Sequence, residues 1–322
     1  MKKIRPKALP MCILSMLGLM ISGSITADDA ARQTASTVEP PRTVDRTFKP
    51  DIADPAYPPG SGPIILVDEA HNNFHTSVGL YYPFARLAER DGYRVKRGSE
   101  KISPDLLKNC RIYVIADAQP PEKKEDPPTF SGDEVEILNG WIKEGGSLFL
   151  ITDHMPDPGA VAALAASFGI KVSNGYAIKG PPPGPAEPLI FDRRGGTLRD
   201  CVVTRGRSES EVVNSIATFA GSAFQANENF IPVLMFGRGI RTWTPEKYWE
   251  FPPGTPNEPV EGWLQGGILE FGKGRLAFFA EAAMFTAQVF NNGRVKVGLG
   301  HPQAKNNFQL LLNILHWLDN LI

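Results

Sequence analysis

The sequence predicts an α/β domain built on a mostly parallel sheet. Three observations carry that prediction. Unbroken apolar runs recur at Pro63–Val67, Arg111–Ala116 and Ser147–Ile151, without the alternation of a half-exposed strand. Helix-patterned segments with one apolar face lie between them. Each run also ends abruptly in polar residues: Asp68-Glu69, Asp117, and Thr152-Asp153-His154. In an open α/β sheet ligands bind beyond the carboxyl ends of the strands, so these polar ends mark the expected site.

The elements follow in order. Lys2, Lys3, Arg5 and Lys7 precede an apolar core, Met11 to Ile21, and a small-residue exit, Ser22 to Ala27. This is the pattern of an export signal cleaved after Ala27. Its core falls short of the roughly 20 residues that span a bilayer. The expected location is periplasmic or extracellular, with no stable membrane span after cleavage. Residues 28–62 are rich in Pro, Thr, Asp and Ala without apolar periodicity and read as a disordered linker. The domain then occupies 63–322.

After the first strand, Tyr82–Arg90 reads as a helix stopped by Asp91-Gly92. Tyr93–Lys96 is a short strand, and Ser103-Pro104 opens a short helix. Ser131 and Glu134 form a capping-box pattern ahead of Val135, Leu138, Trp141 and Ile142, and Gly145-Gly146 closes that helix. Pro158–Phe168 is an Ala-rich helix closed by Gly169. From about 178 to 262 the chain changes character, with a Pro/Gly loop at Lys179–Pro188 and strand-like runs at Cys201–Thr204, Ile216–Phe219 and Ile231–Phe236. This is an inserted β-rich and loop segment. Leu264–Phe271 and Arg275–Ala280 flank Gly272-Lys273-Gly274 as a hairpin. Asn307–Leu318 is the last amphipathic helix.

Composition excludes some classes. A net charge of −1 over 322 residues offers no basic surface for nucleic acid. No period of the solenoid or propeller kind is present. Cleavage at Ala27 leaves Cys110 and Cys201, which read as two buried thiols, with a single disulfide as the alternative. Neither stands at the strand-to-helix turn where a nucleophile would be activated.

In a parallel sheet the strand ends converge. The candidate catalytic set is therefore Asp68, Glu69, His71, His75, Asp153, His154 and Glu281, the last after the second hairpin strand. Imidazoles oriented by carboxylates serve as general acids and bases. The same residue types can hold a divalent metal, for which His71, His75, Asp153 and His154 are the candidates; His71 and His75 have i, i+4 spacing. Asn72, Asn73, Gln288 and Asn307 offer amide hydrogen bonds at the same edge, and Arg205 offers a cation for an anionic ligand. Asp117 reads as a turn cap that also borders the site. His316 reads as packing and His301 as a solvated loop residue.

Four segments together resemble a known family: ILVDEAHNNFHT at the first strand, GWIKEGGSLFLITDH at the helix–Gly-Gly–strand step, FGKGRLAFFAEAAMF, and NNFQLLLNILHWL. In this order they resemble the class I glutamine amidotransferase-like superfamily, closest to its ThuA-like and DUF4350-type branch. The resemblance implies a flavodoxin-like three-layer sandwich. True amidotransferases carry a Cys in a Gly-flanked elbow at the turn that here reads Ile151-Thr152-Asp153-His154, so glutaminase activity is not expected. ThuA-like proteins also lack that Cys and are associated with sugar utilisation, which implies a small-molecule or carbohydrate ligand.

Two functional readings follow. One is an exported hydrolase or lyase acting on a small polar, carbohydrate-like ligand through the His/Asp/Glu cluster. The other is a non-catalytic ligand- or carbohydrate-binding module, for which the aromatic loop Trp243-Thr244-Pro245 with Tyr248-Trp249 speaks. Perturbed acids at the strand ends would favour the first, and ordinary ones beside an open aromatic groove the second.

Overall fold

Five strands, four of them buried, run parallel in the computed structural model, which describes residues 42–122, 128–182, 187–290 and 293–322. The expected signal segment lies outside the described residues. In chain order the elements are β1 (Thr43–Val44), β2 (Ile64–Asp68), α1 (Tyr82–Arg90), β3 (Arg94–Gly98), α2 (Pro104–Leu107) and β4 (Ile112–Ala116). Next come α3 (Gly132–Lys143), β5 (Ser147–Ile151), α4 (Asp157–Ala166), β6 (Ile170–Val172), β7 (Tyr176–Lys179), β8 (Leu189–Asp192) and α5 (Val202–Arg205). There follow β9 (Ser215–Thr218), β10 (Phe224–Ala226), β11 (Ile231–Met235), β12 (Ile240–Trp243) and β13 (Asn257–Pro259). The chain closes with β14 (Leu264–Phe271), β15 (Gly274–Phe279), β16 (Ala287–Phe290), β17 (Val295–Gly298) and α6 (Asn307–Leu318).

The main sheet has the order β3-β2-β4-β5-β15-β14-β10-β6, with β11 also pairing β14. From β3 to β15 every pairing is parallel. From β15 onward it is antiparallel. The sheet is thus parallel only in the half that carries the predicted strand ends. The predicted hairpin is β14–β15, and its second strand joins the parallel half beside β5.

Alternation along these strands fills two cores. Ile65, Val67, Ile112, Val114, Phe149 and Phe279 pack toward α1 and α6, with Phe84, Leu87, Leu311 and Leu315. Leu66, Tyr113, Ile115, Leu148, Leu150 and Phe278 pack toward α2, α3 and α4, with Leu107, Leu138, Ile142, Val161 and Leu164. Continuous apolar strands are what a sheet covered on both faces requires. The expected capping box forms at α3, where Ser131 Oγ accepts from the Glu134 amide and Glu134 reaches back to the Ser131 amide. At the end of α1, Gly92 adopts φ +95°, and an added Cβ there would lie 2.3 Å from the Tyr57 carbonyl oxygen.

That contact marks a departure from the expected disordered linker. From residue 42 the chain lies against the domain. β1 pairs antiparallel with β16, Ala56 donates its amide to Asp91 at 2.8 Å, and Tyr57 hydrogen-bonds Asp319. Apolar periodicity could not reveal this, because backbone groups and single side chains make the attachment. The run Cys201–Thr204 is also corrected: it forms the short helix α5, since the Thr204 hydroxyl accepts from the Cys201 amide and turns the chain. The inserted segment is split among β7–β12–β13, the β8–β9 pair and the added strands β10 and β11 of the main sheet. Cys110 and Cys201 are free thiols. Among the described residues no helix is long and apolar enough to cross a membrane.

Phe149 lies at the centre of this packing, with ring centroids 6.2, 5.9 and 5.5 Å from Phe84, Phe279 and Phe285. Phe149→Ala is expected to lower unfolding free energy by about 3–5 kcal/mol, the range for a large buried aromatic. Urea denaturation measures it; a loss under about 1 kcal/mol would contradict this packing.

Candidate functional site

Register brings three carboxylates to one edge. Ala116, Ile151 and Phe279 are aligned across β4, β5 and β15. The Asp117 amide donates to the Ile151 carbonyl, and the Thr152 amide to the Phe279 carbonyl, each at 2.9 Å. Asp117, one residue past this level, and Asp153 and Glu281, two residues past it, therefore leave adjacent strands at one edge. The loop after β2 folds over this edge, because the Phe74 amide donates to the Asp117 carbonyl at 2.9 Å and Asn73 Nδ2 to the Ala116 carbonyl at 3.4 Å. That clamp sets His75 Nε2 3.3 Å from Asp117 Oδ2. Tyr81 stacks on the His75 ring at 4.8 Å and 9°, and donates its hydroxyl to the Ala282 carbonyl. Asp157, in the first turn of α4, hydrogen-bonds Asp117 and accepts from Gln119 Nε2.

These groups are almost wholly buried: 2% exposed for His75, 3% for Asp117, 7% for Asp153, 4% for Asp157 and 0% for Glu281. Burial sets their protonation. It pushes His75 down to about 3, with the charge of Arg42 adding to the effect, so the imidazole is neutral at pH 7. Burial raises Asp117 well above the usual carboxylate range, reinforced by Asp157 and Asp153. It likewise carries Asp157 up to about 8. Burial and repulsion from neighbouring carboxylates favour the protonated form at both Asp117 and Asp157. Burial raises Glu281, with the charge of Asp153 adding to it, against hydrogen bonds from backbone amides including that of Met284. Burial also raises Asp153, opposed by His154 and Arg42. Among the described residues, His75 Nδ1, Asp117 Oδ1 and Glu281 Oε1 have no hydrogen-bond partner. Asp117 holds φ +56°, an uncommon backbone for a residue with a Cβ. Gly221, at φ +90°, packs on Glu281; a Cβ there would lie 2.6 Å from Glu281 Cγ.

Other predicted residues are committed elsewhere. His71 Nδ1 is 2.8 Å from Asp68 Oδ2, and its Nε2 is 2.9 Å from Glu134 Oε1. Tyr113 donates its hydroxyl to Asp68 at 2.8 Å, and Phe130 stacks on the imidazole. Burial opposes the charge on His71, but the Asp68 and Glu134 carboxylates outweigh it and raise its pKa. With both ring nitrogens engaged, His71 ties the β2 loop to the capping box of α3. It has no nitrogen left for a metal or substrate, nor has Asp68 a free role. Burial raises Glu134, but the Ser131 and His71 hydrogen bonds pull it down to about 2. Glu69 is a loop clasp, accepting from Ser77 at 2.6 Å and from Arg97 Nε at 2.6 Å. Asn72 is exposed, at φ +52° in a turn, and Asn73 accepts from the His71 amide. Arg205 pairs with Asp200 on the inserted segment, far along the surface chain from these strand ends. Asn307 binds the Ala217 backbone and the Met284 carbonyl, so it braces the turn after Glu281. Gln288 lies on β16, donating to Thr286, with its Oε1 unpartnered among the described residues. His316, read as packing, is buried against Asp91.

His154 is adjacent to the acids but belongs to an aromatic wall. Its Nδ1 donates to the Met155 carbonyl at 2.9 Å, and its ring lies 4.8, 5.7 and 5.2 Å from Tyr176, Tyr248 and Trp249. Among the described residues, those grouped so as to hold a metal are His75, Asp117 and Asp153, whose ligand atoms all lie within 4.8 Å of one another. Only His75 and Asp153 belong to the predicted ligand set; the i, i+4 spacing with His71 misleads because the loop is not helical. Three contributors were missed or undervalued. Asp117 was read mainly as a cap, although it ends a strand like Asp153. Asp157 was hidden at the start of a helix; its spacing from Asp153 was the available signal. Arg42 came from the presumed linker, and nothing local in the sequence marked it. Both cysteines are remote from this chemistry, and burial pushes the Cys110 thiol up to about 12.

No protein-family model matches the chain, and no curated protein matches it. Solved structures do share its fold. The mmIFT52 N-terminal domain aligns with a TM-score of 0.56 at 14% identity, over 79% of this chain and 97% of that one. A thua-like protein from Bacteroides uniformis aligns with a TM-score of 0.44 at 12% identity, over 84% and 94%. Exo-beta-1,4-mannosidase Op5Man5 from an Opitutaceae bacterium aligns with a TM-score of 0.35 at 15% identity, over 69% of this chain and 32% of that one. At such identities the first of these speaks to the fold alone.

Two outcomes test the site. His71→Ala leaves two buried carboxylates without their partner and is expected to cost about 3 kcal/mol in urea denaturation; a loss below about 0.5 kcal/mol would mean the imidazole is not the tie. The second concerns pH. Folded Asp157 keeps its proton up to about 8, whereas an unfolded Asp releases it near ~4. Between those values the unfolded state alone ionises, so stability falls as pH rises from about 4 to 8. In EDTA-containing buffer, Asp157→Asn is expected to flatten that fall; an unchanged slope in pH-resolved urea melts would remove Asp157 from the coupled pair.

Proposed function

We propose that this chain is an exported hydrolase or lyase acting on a small polar, carbohydrate-like ligand by acid–base chemistry at the ends of β4, β5 and β15. One observation carries the reading: Asp117, Asp153, Asp157, Glu281 and His75 are gathered in a buried patch whose protonation is displaced from ordinary values. Strongly perturbed acids beside a neutral imidazole are what a proton-transfer site needs. The Asp117–Asp157 pair is the proton donor. Asp153, whose ionised form the Arg42 and His154 charges favour, is the acceptor. His75 stays neutral and orients the pair, a correction to the role first expected of His71.

The aromatic wall supports a ring-shaped polar ligand. Tyr248 and Trp249 are half-buried beside His154, and Trp249 also packs 4.6 Å from Tyr176. Aromatic faces next to hydrogen-bonding acids suit sugar rings. The perturbed acids favour catalysis over a simple binding module. The parallel strands follow the positional order 2-1-3-4-5 with helices on both faces, which supports a flavodoxin-like sandwich and, with the four quoted segments, an amidotransferase-like origin without glutaminase chemistry. Lys2 to Ala27 supports export to the periplasm or beyond.

The test is turnover of a panel of aryl glycosides and oxidised sugars by the mature protein. Asp153→Asn and Asp157→Asn are each expected to reduce the rate about 10²–10⁴-fold, the usual worth of a positioned acid or base, with circular dichroism unchanged. Wild-type rates in both folded variants would sink this assignment.

A further inference from the structure

We propose that His75, Asp117 and Asp153 bind a divalent first-row transition metal ion. Three side chains from three loops offer one ligand atom each, all within 4.8 Å of one another. The His75–Asp117 separation of 3.3 Å fits the edge between two ligands that share one ion with bonds of about 2.0–2.2 Å. The clamp from Phe74 and Asn73 to the end of β4 holds that pair together.

Two further observations point to an occupant. Among the described residues, His75 Nδ1, Asp117 Oδ1 and Glu281 Oε1 are buried without a hydrogen-bond partner. Native interiors rarely leave a buried carboxylate oxygen unsatisfied, and an ion is one of the standard reasons; the unpartnered Asp117 Oδ1 belongs to the side chain that faces His75 Nε2. Charge points the same way. Asp117, Asp153, Asp157 and Glu281 are buried and act on one another, while His154 and Arg42 act on Asp153. A divalent ion supplies further positive charge to this group of buried carboxylates.

The donor set selects the class of metal. One imidazole nitrogen with carboxylate oxygens suits zinc, manganese or ferrous iron, whereas calcium favours oxygen ligands throughout. Asp157, bonded to Asp117, is the outer carboxylate that orients a ligand of this kind. Three protein ligands leave coordination positions for water or substrate. His71 is excluded because Asp68 and Glu134 take both of its ring nitrogens; His154 is not in the group of side chains whose ligand atoms meet.

The inference names what that patch holds and rests on the acid–base reading only for the use made of the ion; with the ion bound, Asp117 and Asp153 are ionised ligands and Asp157 is the acid that remains. The experiment therefore reads binding. Mature protein dialysed against EDTA is titrated calorimetrically with Mn²⁺ and with Zn²⁺, and its thermal midpoint is followed with and without each ion. Wild type is expected to take up one equivalent and to gain thermal stability. His75→Gln and Asp117→Asn are expected to weaken binding at least about 100-fold, beyond the 10–100-fold typical of an outer-shell change. Absence of uptake by wild type at millimolar metal would overturn the proposal, and so would wild-type affinity in both variants. Should those variants fail to fold, the wild-type stoichiometry and the loss of the thermal shift in Asp153→Asn decide. Metal retained by a Glu281→Gln variant that has lost turnover would bear on the acid–base reading and leave this one standing.

Discussion

Strand β5 hydrogen-bonds in parallel to β4 on one side and to β15 on the other, with Ile151 aligned to both Ala116 and Phe279. Everything distinctive about the site descends from that shared register. A slip of one residue between β5 and β15 would turn Glu281 to the opposite face from Asp153; Asp117, one residue out of step with Asp153, is aimed by its φ of +56°. The apolar alternation prevents the slip, because Leu148 and Leu150 fill one core while Phe149 and Ile151 fill the other. Packing of the sheet on both faces therefore holds together three acids that would repel one another once ionised. The sheet carries the electrostatic cost in return for placing them.

The two histidines of the β2 loop show how that cost is distributed. His71 is saturated: Asp68 and Glu134 take its two nitrogens, and Tyr113 and Ser131 complete the network. Such a fully satisfied polar node rigidifies the loop. His75, four residues on, is the opposite case. Its ring is positioned by Tyr81 and Asp117, yet one nitrogen is left without a partner among the described residues. The saturated histidine anchors the loop so that the unsaturated one can be held against the acids.

Segments outside the parallel half finish the site's surroundings. β1 lies along β16 and brings Arg42 toward His75 and Asp153, with its guanidinium 5.5 Å from the Phe74 ring. The turn before β10 supplies Gly221, whose missing side chain leaves room for Glu281. The inserted segment supplies Tyr176, Tyr248 and Trp249 around His154. A core of ordinary strand-end geometry is thus enclosed by pieces that are far apart in the chain.

The sequence by itself determined the α/β class, the strands β2, β4 and β5, the β14–β15 hairpin, the capped helix α3 and the edge at which ionisable groups meet. These features are legible because each depends on local periodicity, a turn residue or a cap, all contained within a few neighbouring positions. His75, Asp153 and Glu281 were legible for the same reason, as polar residues at or just past the ends of apolar runs. Tertiary structure alone decided which histidine joins the acids, since His71 and His75 look equivalent until Glu134, sixty-three residues later, captures the first. It alone decided that Asp117 and Asp157 meet, that Arg42 acts on the site, and that Arg205 and Asn307 are engaged elsewhere. Those outcomes depend on distance and burial between remote segments, and a linear pattern carries neither quantity.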